Sequence, residues 1–175
     1  MSDEEAIRRC QDGDREAFRH LVEQYQDVLY GTACLMTGDA AVAEEQVQEA
    51  FLSAWQGIRG FDTGRPVKPW LVRILVNKVL SYRRRKSHPQ TPLTEATVGN
   101  TAAGAAGPGE EAERRDQVGR ALAVLSQEHR QVVMLRYFAG LSVAETARAL
   151  GWREGTVKSR LHRALEQMRQ ALAET

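Results

Sequence analysis

Apolar residues recur at intervals of three and four positions along most of this chain, and that period predicts α-helices. The first half contains four such stretches, at about 2–11, 14–37, 40–58 and 69–86. No stretch alternates apolar and polar residues in the manner of a half-buried strand. The pattern therefore predicts an all-α protein.

From Ser87 onward the helical pattern stops, and glycine, proline, threonine and alanine replace the bulky apolar residues. Such a segment buries too little apolar surface to offset the entropy of ordering it. Helical periodicity resumes near Glu110. The chain is therefore predicted to form two small helical domains, 1–86 and 111–175, joined by a flexible linker over 87–110.

The second domain ends in a pattern typical of two helices joined by a tight turn. Ser142 can cap the first of them, and Glu145, three residues later, completes a capping box. Gly151 suits the left-handed conformation that closes a helix. This arrangement predicts a helix-turn-helix, which places its second helix in the major groove of DNA. The apolar stripe of that second helix consists of Val157, Leu161, Ala164, Leu165, Met168 and Leu172.

The side of that second helix opposite its apolar stripe combines hydrogen-bonding residues with cations, which suit phosphates and base edges. The alternative interpretation is an ordinary helical hairpin whose polar face is only solvated. Under that alternative His162 is a plain surface histidine. Helical geometry places Gly155, Ser159, His162 and Glu166 on this side, flanked by Lys158 and Arg163.

Charge is nearly balanced overall, at +1, but it is unevenly distributed. Every charged residue from Arg65 to Lys86 is a cation, whereas Asp39, Glu44, Glu45 and Glu49 precede this stretch. Separate blocks of opposite charge indicate two partners, one anionic and one cationic.

Several functional classes find no support in the sequence. The histidines are scattered, no paired metal-ligand spacing occurs and no glycine loop follows a strand, so no catalysis, metal or cofactor is predicted. Cys10 and Cys34 are interpreted as small apolar core residues, with a redox switch as the alternative. The N-terminus is acidic and no apolar run approaches the ~20 residues that cross a bilayer, so a soluble cytoplasmic protein without membrane insertion is expected.

Three stretches, in this order, resemble the extracytoplasmic-function (group IV) sigma factors, which are promoter-selecting subunits of bacterial RNA polymerase. The first domain resembles the family's region two, and the second resembles region four. The resemblance implies a non-enzymatic protein that binds core RNA polymerase and promoter DNA. The three stretches are 44–55 in the third helix, the segment with Phe61, Trp70-Leu71, Ile74 and Asn77, and 155–161 in the helix-turn-helix.

The resemblance assigns core-polymerase binding to the polar side of the third helix. The implied contact is the coiled coil of the polymerase's largest subunit, and the flap of the second-largest subunit is a further implied partner. An anti-sigma factor is implied as well. A merely solvated acidic face is the alternative, since charged helix faces are usually solubilising. The residues assigned are Glu45, Gln48, Glu49 and Gln56.

The next loop and the basic fourth helix resemble the elements that melt a promoter and capture a base from the minus-ten non-template strand. An asparagine side chain both donates and accepts hydrogen bonds, as reading a base edge requires. Trp70 is interpreted as a core residue and not as a stacking platform. Ser81, where the family often has Asp, and the stiffening prolines Pro66 and Pro69 leave the captured base open. The residues assigned by resemblance are Phe61, Asp62, Thr63, Gly64, Arg65, Asn77 and Arg84.

Recognition of the minus-thirty-five element is assigned by the same resemblance to the helix-turn-helix. Trp152 is interpreted as part of the helix-turn-helix core. The competing hypothesis is a stand-alone helix-turn-helix regulator, which would need neither the acidic third helix nor the melting loop. The residues assigned are Arg153, Thr156, Lys158, Ser159, His162 and Arg163.

Overall fold

The computed structural model describes residues 1–86 and 110–173, and every regular element within these two ranges is helical. The predicted all-α class is therefore confirmed. The chain divides into two compact units, Met1–Leu93 and Thr94–Thr175. The predicted linker falls outside the described residues except for Glu110, so its flexibility stays a prediction.

Four helices form the first unit, and α2 lies at its centre. The helices are α1 (Asp3–Gln11), α2 (Arg15–Thr37), α3 (Ala40–Gly57) and α4 (Val67–Lys86), with a 3-10 turn at Ile58–Gly60. α2 packs against the other three, and α3 also packs against α4. Each large apolar side chain buried here stabilises the fold by roughly 1.5–3 kcal/mol. Among the most deeply buried are Ile7, Leu21, Val72, Leu75, Val76 and Val79.

Short polar residues and one glycine set the helix boundaries in this unit. The Asp14 carboxylate accepts hydrogen bonds from backbone amides in the first turn of α2, and Asp39 does the same for α3. Gly38 ends α2 in the left-handed conformation, at φ 70°. α4 begins at Val67, earlier than predicted, with Pro69 in its first turn, where a missing N–H breaks no helical hydrogen bond.

Both cysteines of the first unit are buried free thiols. Cys10 is 2% exposed and Cys34 is 5% exposed. Burial raises the pKa of the Cys10 thiol to about 11, and the nearby Asp14 carboxylate adds to the shift. The predicted packing role of both residues is therefore confirmed.

The second unit consists of α5 (Glu110–Ala123), α6 (Gln127–Val133), α7 (Val143–Leu150) and α8 (Glu154–Ala173). α8 packs against each of the other three helices. A cluster of side chains from α5, α6, α8 and the α5–α6 turn fills the space between these helices. Its members are Leu125, Val133 and Ala164, with partly buried Leu122, Leu161 and Met168 around them.

The structure differs from the predicted pattern at two places in this unit. Leu172, placed on the apolar stripe of α8, is 44% exposed. That placement was wrong because periodicity fixes the direction of a side chain but supplies no partner to cover it. A π-helical segment, Met134–Phe138, follows α6 and departs from the α-helical period found along most of the chain. This wider turn leaves Tyr137 and Phe138 exposed.

Candidate functional surfaces

The polar side of α3 is exposed along most of the helix. Aromatic packing on the opposite side holds it in this orientation, since Phe18 of α2 lies edge-on to Phe51 and Trp55, with ring centroids 6.3 and 5.2 Å apart. Such ring pairs contribute about 0.5–1.5 kcal/mol beyond their burial. All four residues predicted on the polar side are exposed: Glu45, Gln48, Glu49 and Gln56.

One apolar residue on this side was missed in the sequence. Leu52 is 53% exposed and lies four residues from both Gln48 and Gln56, so it interrupts an otherwise polar surface. A large apolar residue on a polar helix stripe is the signal that could have identified it. Together with the four polar residues it forms what we call the α3 face. The middle of this face is tied to α4, because Lys78 Nζ lies 3.3 Å from Glu49 Oε2.

The loop over 61–65 connects the 3-10 turn to the segment before α4, and its own polar groups shape it. The Asp62 carboxylate accepts a hydrogen bond from the Gly64 amide at 3.0 Å. The Asp62 carbonyl accepts another from the Arg65 amide at 3.0 Å, and the two side chains form an ion pair at 3.3 Å. Asp62, Gly64 and Arg65 are exposed, and Thr63 is partly exposed. Four of the five predicted loop residues therefore face solvent.

Phe61, the fifth predicted loop residue, is placed differently. Its ring is only 9% exposed and lies against Trp70, with 4.4 Å between the ring centroids. Trp70 is half-buried, and its ring lies near Gly57 at the end of α3, where an added Cβ would be 3.9 Å from it. Phe61 therefore anchors the loop on the helical core, and its assignment to DNA binding stays a prediction.

α4 carries an open groove of about 620 Å³ on its outer surface. Asn77 and Arg84, both predicted to contact DNA, are exposed and lie in this groove. Arg84 donates a hydrogen bond to Ser81 Oγ at 3.1 Å, so the departure from the family pattern at 81 lies inside the same groove. The lining of this α4 groove consists of Ile74, Asn77, Lys78, Ser81, Arg84 and Arg85.

Not every cation of the basic stretch faces the α4 groove. The Arg83 guanidinium donates a hydrogen bond to the Met36 carbonyl near the end of α2. Cations favour such helix C-termini because the backbone carbonyls there carry partial negative charge. Arg83 thus stabilises the end of α2, whereas the neighbouring Arg84 and Arg85 are exposed.

The helix-turn-helix has the predicted local structure. Ser142 Oγ accepts a hydrogen bond from the Glu145 amide at 3.2 Å, and Glu145 Oε2 accepts one from the Ser142 amide at 2.7 Å. This reciprocal pair is the capping box of α7. Gly151 ends α7 at φ 69°, in the left-handed conformation. The capping box therefore fixes the start of α7, and Gly151 ends the helix just before the turn to α8.

The outer side of α8 and the residue just before it expose the predicted polar set, which we call the recognition face. Ser159 Oγ donates a hydrogen bond to the Thr156 carbonyl at 3.1 Å, and Thr156 is partly buried. The inner side is held by Val157 and Ala164, both 0% exposed. The exposed members of the recognition face are Arg153, Lys158, Ser159, His162 and Arg163.

Arg160, on the same helix, packs against the rest of the second unit. This stabilising role was not predicted from the sequence. Its guanidinium lies 4.0 Å from the centroid of the Trp152 ring and 2.8 Å from Glu128 Oε2 on α6. A planar guanidinium can stack on an aromatic ring and pair with a carboxylate at once. Trp152 is half-buried beneath it, in keeping with its predicted core role. Arg160 therefore fixes the start of α8 against both α6 and the turn.

The described ranges, 1–86 and 110–173, contain neither a cluster of metal ligands nor a helix that could span a membrane. No group of three or more histidine, cysteine, aspartate or glutamate side chains there could hold a metal ion. None of the helices in those ranges has the length and hydropathy required to cross a membrane.

Comparison with known families places both units in one group of proteins. Residues 21–88 match the model for sigma-70 region 2, and residues 115–168 match the model for sigma-70 region 4. The ECF RNA polymerase sigma factor SigL of Mycobacterium tuberculosis is 38% identical over 157 residues, which is 89% of each chain. SigW of Bacillus subtilis is 31% identical over 177 residues, covering 95% of this chain and 94% of its own.

Solved structures show the same fold. CnrH, solved in complex with the cytosolic domain of CnrY, aligns with a TM-score of 0.70 at 24% identity, covering 98% of this chain and 97% of its own. The sigma factor RpoE of Bartonella quintana, solved with the anti-sigma factor NepR, aligns with a TM-score of 0.67 at 24% identity, covering 89% and 96%. With relatives this similar over nearly its full length, the chain belongs to the ECF sigma factors, which are promoter-specificity subunits of RNA polymerase.

Proposed function

We propose that this sigma factor divides its work among the three surfaces described above. The α3 face binds core polymerase, the 61–65 loop and α4 groove hold the separated minus-ten strand, and the recognition face reads the minus-thirty-five element. The observation that carries this proposal is the exposure, within one chain, of three surfaces whose chemistry suits three different contacts.

For polymerase binding, the composition of the α3 face supports the proposal. Leu52 offers an apolar anchor, and Gln48, Glu49 and Gln56 surround it with hydrogen-bonding groups. Protein interfaces concentrate their binding energy in such central anchors, with polar groups at the rim. The proposed partner is the coiled coil of the largest polymerase subunit.

For strand separation, the proposal rests on the loop and the α4 groove. A single DNA strand is held by cations that follow its backbone and by side chains that hydrogen-bond its unpaired bases. Arg84 and Arg85 supply the charge, and Asn77 supplies a donor and an acceptor in the same groove. We assign capture of the minus-ten base to Asn77 and the exposed residues of the loop, with Phe61 as their anchor.

For duplex recognition, the recognition face has the residues that major-groove contacts require. Lys158 and Arg163 are exposed cations, and arginine or lysine to guanine is the commonest specific contact in the major groove. Ser159 and His162 add short hydrogen-bonding groups between them. We assign the minus-thirty-five contacts to these four residues, together with Arg153 and Thr156 at the N-terminal end of α8.

Two further partners complete the proposal. The structural relatives CnrH and RpoE were solved with the cytosolic domain of CnrY and with the anti-sigma factor NepR. We assign an anti-sigma factor to this chain by analogy, and the flap of the second-largest polymerase subunit as a contact of the second unit. Because these contacts involve polymerase and chromosomal DNA, the chain is expected to act in the cytoplasm.

The test is run-off transcription by bacterial core polymerase on a promoter mapped for this factor. The wild-type chain should support initiation, and Leu52→Asp should abolish it by placing a charge at the centre of the α3 face. Leu172→Asp is the matched control, because Leu172 is also an exposed leucine but lies on the other unit. Glu49→Ala should lower core affinity less than Leu52→Asp does.

The same experiment separates this function from that of a stand-alone regulator. A regulator would bind its operator tightly without polymerase, and Leu52→Asp would leave that binding and its effect intact. Equal activity of Leu52→Asp and wild type in run-off transcription would remove the α3 face from the proposal.

A further inference from the structure

The side chain of Gln11, at the end of α1, reaches the 61–65 loop across the first unit. Its amide nitrogen Nε2 donates hydrogen bonds to the Ile58 carbonyl at 3.0 Å and to the Phe61 carbonyl at 2.8 Å. These two carbonyls bracket the point where the 3-10 turn ends and the loop begins. One side chain thereby joins segments that are about fifty residues apart in sequence.

Few other side chains could make this pair of contacts. The glutamine amide carries two N–H donors on one nitrogen, which is what two neighbouring carbonyl oxygens require. Glutamate has nearly the same shape but, when ionised, only accepts hydrogen bonds, so it would place negative charge against both oxygens. Ile58 is 2% exposed and Gln11 is partly buried, so water replaces these bonds poorly.

Gln11 is itself held firmly in place. Ala6, Ile7 and Cys10 bury the inner side of α1 at 0–2% exposure. The chain turns directly after Gln11, where Arg9 donates two hydrogen bonds to Asp14 Oδ2 at 2.9 and 2.6 Å. The Gln11 amide therefore extends from a helix that is packed against the core.

The other described contacts of the loop are local in character. The Phe61 ring rests on Trp70, and Asp62 bonds to Gly64 and Arg65 within the loop. The Phe61 amide also donates a hydrogen bond to the Ile58 carbonyl at 3.1 Å. These contacts shape the loop, but none of them engages the Phe61 carbonyl. One bond from Gln11 holds the carbonyl of Phe61, the first loop residue, and the other holds the carbonyl of Ile58 in the turn. Together they set the direction in which the loop leaves the turn.

We infer that Gln11 is a positioning residue for capture of the minus-ten strand. It holds the 61–65 loop in the shape that receives an unpaired base, without touching DNA itself. This inference rests on the function proposed above for the loop, and it adds a residue from α1 to that site.

The test compares Gln11→Glu and Gln11→Leu with Gln26→Glu in the full-length chain. Gln26 is an exposed residue of α2, so its replacement makes the same charge change away from the loop. Amide hydrogen exchange of the free protein reports the loop directly, because the Phe61 and Arg65 amides are hydrogen-bonded there. Holoenzyme affinity for forked DNA with a single-stranded minus-ten element reports its function.

Both Gln11 variants should speed exchange at Phe61 and Arg65 roughly tenfold, as expected when hydrogen bonds worth about 1.4 kcal/mol are lost. They should weaken binding to forked DNA by a similar factor while affinity for core polymerase stays at the wild-type value. Gln26→Glu should change none of these quantities.

Unchanged exchange and unchanged forked-DNA affinity in the folded variants would overturn the inference. An equal loss of core affinity would also overturn it, since Gln11 would then support the whole unit and not the loop. A wild-type holoenzyme that does not bind forked DNA would refute the proposed function of the loop, and that result requires no Gln11 variant.

Discussion

The 61–65 loop and the recognition face of α8 both present polar side chains for the proposed DNA contacts, but their shapes arise differently. On α8, Lys158, Ser159 and Arg163 stand on a regular helix, whose backbone hydrogen bonds set the spacing between them. The loop has no such repeating framework. Its shape comes from Asp62, from the Phe61 ring on Trp70 and from the distant amide of Gln11.

This difference determines which parts of each DNA-contacting surface need stabilising contacts from the rest of the unit. A helix is internally rigid, so only its orientation needs support, and Arg160 supplies it through Trp152 and Glu128. A loop needs support at its individual backbone groups. We therefore expect DNA recognition in the second unit to be sensitive mainly to the contacting residues, and in the first unit to be sensitive to distant supporting residues as well.

The largest effect is expected from removing both cations of the recognition face. Lys158→Ala with Arg163→Ala should weaken binding to duplex promoter DNA about 100-fold at low salt, since each contact contributes about 1–3 kcal/mol. The negative slope of log K against log salt should become shallower by about 2. Arg120→Ala, an exposed cation of α5, is the control. An unchanged salt slope would remove the pair from the DNA interface.

A smaller effect is expected at the α4 groove. Asn77→Ala should reduce open-complex formation about tenfold, because one base contact is lost, while core affinity stays unchanged. Permanganate reactivity of the minus-ten thymines measures strand separation. Asn77→Asp keeps the shape and the acceptors but loses the donors, so it shows which half of the amide is needed. Normal strand separation by Asn77→Ala would contradict its assigned role.

Substitutions of Arg160 test whether the residues that stabilise α8 are distinct from those that contact DNA. Arg160→Ala should lower the free energy of unfolding by about 1–2 kcal/mol, from the lost ring stack, ion pair and packing. Arg160→Lys should lose about half as much, because lysine can pair with Glu128 but cannot stack as a plane. Urea unfolding measures both, and Glu128→Gln completes a double-mutant cycle. Weaker DNA binding by Arg160→Lys at unchanged stability would identify a direct contact instead.

The smallest effect is expected at the α7 cap. Ser142→Ala removes the acceptor for the Glu145 amide and should lower the free energy of unfolding by about 1 kcal/mol. Ser159→Ala is the matched control, because Ser159 lies within α8 and does not cap a helix. Equal stability losses in the two variants, measured by urea unfolding, would show that the cap is not what stabilises the start of α7.

The parts of the structure that were predicted correctly depend on local sequence. Ser142, Glu145 and Gly151 act through neighbours within four residues, so their spacing was enough to place both ends of α7 and the turn that follows it. The exposure of Glu45 and Gln48 followed from helical period alone. Such features need no knowledge of what packs where.

The parts that were not predicted depend on distant partners. Nothing in the sequence around Gln11 indicates two carbonyls about fifty residues away, and the pairing of Arg160 with Glu128 spans 32 positions. The π-helical segment Met134–Phe138 also lacks a marker such as proline or glycine. The burial of Phe61 was also not predicted, because it depends on packing against Trp70 from the next helix.

Burial of Cys10 and Cys34 has a practical consequence for following this protein in action. Thiolates are the reactive form of cysteine, and both native sulfurs are shielded from reagents, with the Cys10 pKa at about 11. Cysteines introduced at the exposed positions Gln26 and Arg120 should therefore take up maleimide dyes far faster than the native pair. Fluorescence energy transfer between such dyes would track the spacing of the two units during polymerase binding, without first replacing any native thiol.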